Sequence, residues 1–284
     1  MENTIVKQEE PRVAPSLTKK AKGWNFQKQL QVLPIIMFFI IWEGTTRLNM
    51  HISIVNPVFF PPPSLILIKG WELCKSGLVI QSVLSSTIRI FIGFLLGALF
   101  AIVIALLMGR VKKIEFWFTP IFNMIGPIPA LALLPLFIIW FGIGEIPKIV
   151  LIAWTTFFPV MTNTLDGIKS VNSSFIRSAL SLGANERQIY TKIIIPSTLP
   201  FIIAGCQISL GLAFSALVVS EMMGAKNGLG YIIVDARNYM KMLDMYVAIV
   251  LIGLEYSFFA FIFKLIEKKL LDWRTGGFHH AIEK

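Results

Sequence analysis

The sequence predicts an all-α integral membrane protein with six transmembrane helices, and three observations carry that class. Hydrophobic residues make up 55% of the 284 and charged residues 15%, with a mean hydropathy of +0.72. A soluble domain spends about a quarter of its residues on charge. Windows about one bilayer thick with little or no charge recur along the chain. The basic residues are also segregated by loop, as the positive-inside rule requires.

The elements follow in order. Residues 1–30 carry six Lys and Arg and read as a basic cytoplasmic tail, without the apolar core and cleavage site of a signal peptide. Residues 31–50 hold the first span, whose apolar part ends near 47. An outer segment, 51–86, comes next. Its run Phe59-Phe60-Pro61-Pro62-Pro63-Ser64 should be extended, because consecutive prolines exclude helix. Residues 64–80 then read as an amphipathic helix at the interface, with Trp71 as anchor, a spacer that seals the rim.

The core, 87–266, holds five further spans. The second lies at 90–109, between Arg89 and Arg110. Residues 116–144 are uncharged but contain Pro120, Pro127, Pro129 and Pro135, so that helix is broken or starts late. The fourth span covers 149–165, and the fifth lies within 193–220, after Pro196. The sixth, 245–263, is interrupted by Glu255. Residues 267–284 form a C-terminal cytoplasmic tail. Gly93, Gly97, Ala101, Ala105 and Gly109 put a small residue at every fourth position of span two, and Gly205, Ser209 and Ala213 repeat the pattern in span five. Such ridges let helix backbones approach closely in lipid, which supports a compact bundle and a homodimer.

Counting Lys and Arg orients the chain. The N-terminal tail, the 110–119 loop, the 166–197 loop and the stretch from Lys264 hold 18 of the 26, and the alternate loops hold eight. Both termini and the 166–197 loop are therefore expected in the cytoplasm of a bacterial cell, with the protein multi-pass in its plasma or inner membrane. The same bias accounts for the net charge of +10 without nucleic acid as a partner.

The 166–197 loop is the most informative stretch. Asn172 and Ser173 can cap a short helix that Gly183 ends in the left-handed conformation. Asn185, with Gln188 in capping-box register, can start a second helix, and Pro196 should stop it before the next span. Phe175, Ala179 and Leu182, with Ile189 and Ile193, give each piece an apolar stripe. A capped, basic, amphipathic helix–Gly–helix is suited to being gripped by another protein.

Other chemistry is sparse. Cys74 and Cys206, and His51, His279 and His280, show no metal spacing, and no cofactor is expected. No cluster of His, Asp or Glu points to a membrane enzyme. A secondary transporter would show internal repeats and paired mid-membrane charges, which are not evident. Glu255, Glu221, Ser209, Ser215 and Ser220 are the candidates for a substrate path, because ionisable and polar groups within spans are costly in lipid. Each has a structural reading beside the functional one. Glu255 can bond a neighbouring helix, Glu221 can pin the loop 224–230, and serines in membrane helices commonly bond back to their own helix.

The loop resembles the coupling motif of importer-type ATP-binding-cassette permeases: Glu-Ala-Ala, three residues, Gly, nine residues, then Ile-x-Leu-Pro. Arg177-Ser178-Ala179, Gly183, Ile193, Ile195 and Pro196 occupy those positions. Further segments are similar to the sulfonate, taurine and nitrate branch. These are Gly126-Pro127-Ile128-Pro129-Ala130, Pro135-Leu136-Phe137, Trp140-Phe141-Gly142, Phe157-Phe158-Pro159, Gly183-Ala184, Gly228-Leu229-Gly230-Tyr231, Asp235-Ala236-Arg237 and Asp272-Trp273-Arg274. The resemblance covers residues 31–274. It implies a type I importer permease bundle that carries a small solute, such as an organic sulfonate, taurine or a nitrate-like anion. A small heterocycle such as a thiamine precursor is the alternative, and a secondary transporter the alternative of another class. It implies an ATPase subunit docked on Arg177, Ser178, Ala179, Gly183, Ala184, Ile193, Ile195 and Pro196, and an extracytoplasmic substrate-binding protein. The chain has no G-x-x-x-x-G-K-[ST] loop, so ATP hydrolysis is expected on that separate subunit, and the chain itself is not an enzyme. Arg177 and Ser178 replace the motif's glutamate and first alanine, putting a cation where the family has an acid.

Overall fold

The computed structural model describes residues 33–272, whose regular elements are all helices, without a strand among them. The tail 1–30, the end of the 267–284 tail, Trp273, Arg274, His279 and His280 lie outside the described residues. The chain divides into two compact units, Met1–Ser64 and Leu65–Lys284.

In the first unit, α1 runs Leu33–Ile52. Its second half binds the chain that follows: the Ser64 backbone N–H and hydroxyl both donate to the Glu43 carboxylate, at 3.0 and 2.7 Å, and Arg47 Nε donates to the same group at 2.6 Å. A 3-10 turn, Pro57–Phe59, is capped by Asn56, and residues 60–62 are not helical. Of the run 59–64 expected to be extended, only 60–62 lie outside helix: Phe59 closes the 3-10 turn, and Pro63 and Ser64 start the next helix, because a first-turn proline needs no N–H. That helix, α2, is Pro63–Lys75. It stops short of the expected 80 because Gly77 takes a φ of +80°.

The second unit contains the core. It comprises α3 (Leu78–Arg110), α4 (Lys112–Ile125), α5 (Ala130–Phe141), α6 (Ile146–Lys169), α7 (Ser173–Ser181), α8 (Glu186–Ile189), α9 (Ile195–Met222), α10 (Leu229–Asn238) and α11 (Met242–Leu270). Among the described residues, four helical stretches are long and apolar enough to cross a membrane: α3, α6, Glu186–Met222 and α11. The prolines break the third expected span into α4 and α5, bent by 101°, and counting that pair as one span gives five. The remaining expected span, α1, falls short in apolar composition because Glu43, Arg47 and Asn49 dilute its second half.

The helix α6 is the axis of the bundle, with α3 and α9 packed along it. Small residues set both approaches. A Cβ on Gly93 would lie 2.7 Å from Ile152, and one on Gly109 would lie 2.6 Å from Ile168. A Cβ on Gly205 would meet the backbone of Val160 at 3.0 Å, and one on Gly167 would meet Phe201 at 2.7 Å. The small-residue ridges are therefore used within one chain. Two apolar clusters follow along the same helices. Ile90, Leu134, Phe137, Leu151, Leu210 and Leu217 form one, and Ala101, Ala105, Met108, Val160, Met161 and Ile202 the other. The outward faces are apolar as well, with Phe100 at 63% and Ile139 at 77% exposure. Faces of that kind suit lipid.

Candidate functional site

The loop between α6 and α9 has the local structure its residues dictate. Asn172 caps α7 by accepting the Ser174 N–H at 2.8 Å. At the other end Ala184 N donates to Ala179 O and Gly183 N to Leu180 O, at 3.0 and 2.9 Å. That crossed pair is a Schellman motif, and it requires the φ of +79° that Gly183 adopts. Asn185 and Gln188 then form a complete capping box, each side chain accepting the other's backbone N–H at 2.9 Å. Arg177, Ser178, Gly183 and Pro196 are exposed, and Ala179, Ala184, Ile193 and Ile195 are half-buried. Phe175, Leu180 and Leu182 project with 65%, 53% and 88% exposure. The loop is held from beneath: Ile189 is buried, the Tyr190 hydroxyl donates to Leu106 O, and the Arg110 guanidinium lies 5.7 Å from the Tyr190 ring. Lys169 pairs with Glu115 at 2.6 Å.

Pro196 does not end a helix there. The expected stop is replaced by a π-turn, Tyr190–Ile194, that joins α8 to α9 without interruption. In a π-turn the ladder skips to i→i+5, as the Ile195 N–H shows by donating to Tyr190 O. Pro196 follows as a first-turn residue of α9, where its missing N–H costs little.

A second polar site lies at the far end of α9. Arg89 is 3% exposed and Glu221 1%. Arg89 Nη1 donates to Glu221 Oε1 at 2.8 Å and to Asn227 O at 2.9 Å. Its Nη2 donates to Asn227 Oδ1 at 2.6 Å and to Glu145 Oε1 at 2.9 Å, and its Nε donates to Glu145 Oε2. Ser86 and the Gly230 N–H donate to the Glu221 carboxylate, and Lys148 donates to Glu145 at 3.0 Å. Glu221 thus pins the 224–230 loop. Gly228 is required beside it, since a Cβ there would sit 2.6 Å from the carboxylate oxygens at a φ of +122°. The Arg89 guanidinium, with Lys148, holds the Glu145 carboxyl at about 2, well below the usual carboxylate range.

The other path candidates are dispersed. Ser209 and Ser220 are buried and donate to Cys206 O and Leu217 O of their own helix. Ser215 is exposed and lines a cavity of about 300 Å³. Glu255 is 7% exposed and accepts from Thr87 at 2.8 Å, which ties α11 to α3. Arg89 and Lys148 were legible in the sequence only as charges at the edges of apolar windows. The signal for the cluster was that Arg89, Glu145 and Glu221 all stand at such edges.

Long apolar helices around a small-residue axis, with an exposed, capped loop at one end, define a multi-pass membrane protein. Residues 93–272 match the family of binding-protein-dependent transport system inner membrane components, and the chain belongs to that family. It is a permease subunit of the ATP-binding-cassette type, a transporter component without catalytic activity of its own. Among curated relatives, it is 36% identical over 258 residues to a Bacillus subtilis protein designated the aliphatic sulfonates transport permease SsuC, covering 91% of each chain. It is 31% identical to the Escherichia coli K12 taurine transport system permease TauC, covering 88% of this chain and 92% of that one. It is also 31% identical to the formylaminopyrimidine transport permease ThiX of Halalkalibacterium halodurans, covering 88% and 98%. In fold it is similar to a chain of the inward-facing MetNI methionine transporter, with a TM-score of 0.57 at 20% identity, covering 68% of this chain and 96% of that one.

Proposed function

We propose that the chain imports an organic sulfonate, taurine or a similar small anion, driven by an ATPase subunit that docks on residues 173–196. A homodimer of the chain would frame the path, and an extracytoplasmic binding protein would deliver the cargo. Both termini and the 166–197 loop would face the cytoplasm. The observation that carries the reading is the geometry of that loop: doubly capped, closed by a Schellman turn, apolar on its exposed face, and continuous with α9. A link that transmits motion from an ATPase must be stiff and must project, and this one does both. The relatives designated for sulfonates and taurine support the choice of cargo, and ThiX keeps a small heterocycle as the second reading.

Expression of the full chain with an ATPase subunit and a binding protein from the same organism tests the proposal. Co-purification with the ATPase, and ATP-dependent uptake of a sulfonate or taurine into proteoliposomes, is the expected result. Uptake of a pyrimidine instead would turn the cargo assignment to the second reading, and transport without the ATPase would overturn the mechanism. Orientation is read separately, in a background lacking Cys74 and Cys206. An Arg187→Cys variant should resist an impermeant thiol reagent in intact cells, and labelling there would reverse the topology.

A further inference from the structure

No residue of α4 is fully buried, and its two long faces differ. One packs on α6. There Lys169 Nζ meets the Glu115 carboxylate at 2.6 Å, and the Phe122 ring stands 5.6 and 6.3 Å from those of Phe157 and Phe158. The other face carries Lys113, Trp117, Ile121 and Met124, which the helical period places on one stripe. Trp117, Ile121 and Met124 are 70%, 47% and 72% exposed. Lys112 and Phe116 lie beside them. Both lysines are exposed, and neither meets a carboxylate among the described residues.

Polarity therefore changes along the stripe. Two free cations stand at one end, and an exposed aromatic pair follows one turn on, about 6 Å along the axis at 1.5 Å per residue. Apolar side chains continue to Met124. A phospholipid presents the same order: a phosphate, an interfacial layer that favours tryptophan, then chains. Basic residues at a membrane surface attract anionic headgroups. A second copy of the chain fits badly, because a two-fold contact through this face would set four lysines against one another. We propose that this face of α4 is a binding site for an anionic phospholipid. Lys112 and Lys113 hold its phosphate, and its chain lies along Trp117, Ile121 and Met124. That the lipid belongs to the cytoplasmic leaflet rests on the orientation proposed above. The site adjoins the coupling loop, since Arg110, just before α4, lies over the Tyr190 ring.

Native mass spectrometry of the purified full chain in detergent tests the site whatever its orientation. The probes are dioleoyl phosphatidylglycerol and dioleoyl phosphatidylcholine, which share their chains and differ in charge. The parent should bind phosphatidylglycerol about tenfold tighter. Lys112→Gln with Lys113→Gln should erase that preference, and Lys112→Arg with Lys113→Arg should keep it. Lys268→Gln with Lys269→Gln removes the same charge from the exposed end of α11, and should leave the preference within about twofold. Equal binding of both lipids by the parent overturns the site, as does a parent-like preference in the α4 glutamine variant. Equal losses in the two glutamine variants would mean diffuse surface charge and overturn it too. Displacement of the lipid by inorganic phosphate at matched ionic strength would make this a free-anion site instead. Trp117→Cys, in a background lacking Cys74 and Cys206, should form no cross-link in membranes to a second copy or to the ATPase. A cross-link to either would give the face to protein and overturn the lipid assignment. The leaflet fails separately: outside labelling of Arg187→Cys would move the lipid to the outer leaflet and leave its binding intact.

Discussion

The two ends of α9 are built on opposite principles. At its N-terminal side, the helix–Gly–helix loop is exposed and is shaped by backbone geometry: caps, a Schellman turn and one positive φ. At its C-terminal side, the Arg89 cluster is buried and is shaped by charge, with Glu221 wholly enclosed. Local hydrogen bonds between near neighbours make the first end nearly autonomous. The second joins residues 56 to 138 positions apart, so it exists only once α3, α6 and α9 have packed. Stiffness that must be presented to a partner comes from short-range rules, and closure against the surroundings comes from long-range ones.

The largest expected effect breaks the buried end. Arg89→Met leaves Glu221 enclosed without its cation, and should cost about 3–5 kcal/mol. Thermal unfolding in detergent and the yield of folded protein would report it, whereas Glu221→Gln should cost less, because the amide oxygen can still accept from Ser86 and Arg89 and only the Gly230 N–H loses its acceptor. A parent-like melting temperature for Arg89→Met would remove the charge principle from the comparison.

Glycines sharpen the contrast next. Gly93→Leu forces a side chain into Ile152, and overpacking of that kind costs about 1–3 kcal/mol. Gly183→Val meets nothing within 4 Å, so its penalty of about 1–2 kcal/mol is purely that of a β-branched residue at positive φ. Gly183→Val should therefore insert and fold yet lose ATP-coupled uptake. Normal uptake by that variant would sever the loop from coupling.

A smaller effect concerns Arg177, exposed in mid-α7 with its guanidinium 3.3 Å from the Ser174 hydroxyl. If the docked ATPase surface is adapted to a cation, Arg177→Glu should weaken pull-down roughly threefold to tenfold. Tighter association would mean that the cation is a tolerated defect. Smallest is the response to acid at Glu145. Its carboxyl titrates near 2 in the fold against an ordinary value of 4.5, so the ionised form is the favoured one. Its contribution is fully present above 4.5 and is lost as pH falls toward 2. Stability in detergent should thus be flat in this respect from pH 5 to 8 and decline below about 4.5, and Glu145→Gln should abolish that part of the decline.

The loop was legible because capping is a nearest-neighbour matter. Asn172, Gly183, Asn185 and Gln188 act within three or four residues of themselves, so their spacing already contained the structure. The break in the third span was legible for the same reason, from its prolines. Pro196 was misjudged because a proline ends a helix only where its N–H is needed, and the preceding π-turn removes that need. Arg89 was hidden by the logic of apolar windows, which treats a charge as a boundary. Here α3 continues a further eleven residues past it, to Leu78, because two carboxylates from distant segments meet the guanidinium. Partners at such separations leave no periodic trace in a single sequence.

The uninterrupted stretch Glu186–Met222 has a mechanical consequence. Thirty-seven helical residues make a rod about 55 Å long at 1.5 Å each, with the loop's second helix at one tip and Glu221 at the other. A tilt of only ~5° imposed at the loop would sweep the far tip through about 5 Å, close to one helical turn. The Arg89 clamp ties that tip to α3 and to the 224–230 loop, so both would move with it. A rod of this kind acts as a lever that magnifies displacement, so a modest rotation of a docked motor would be enough to swing the opposite mouth of the bundle.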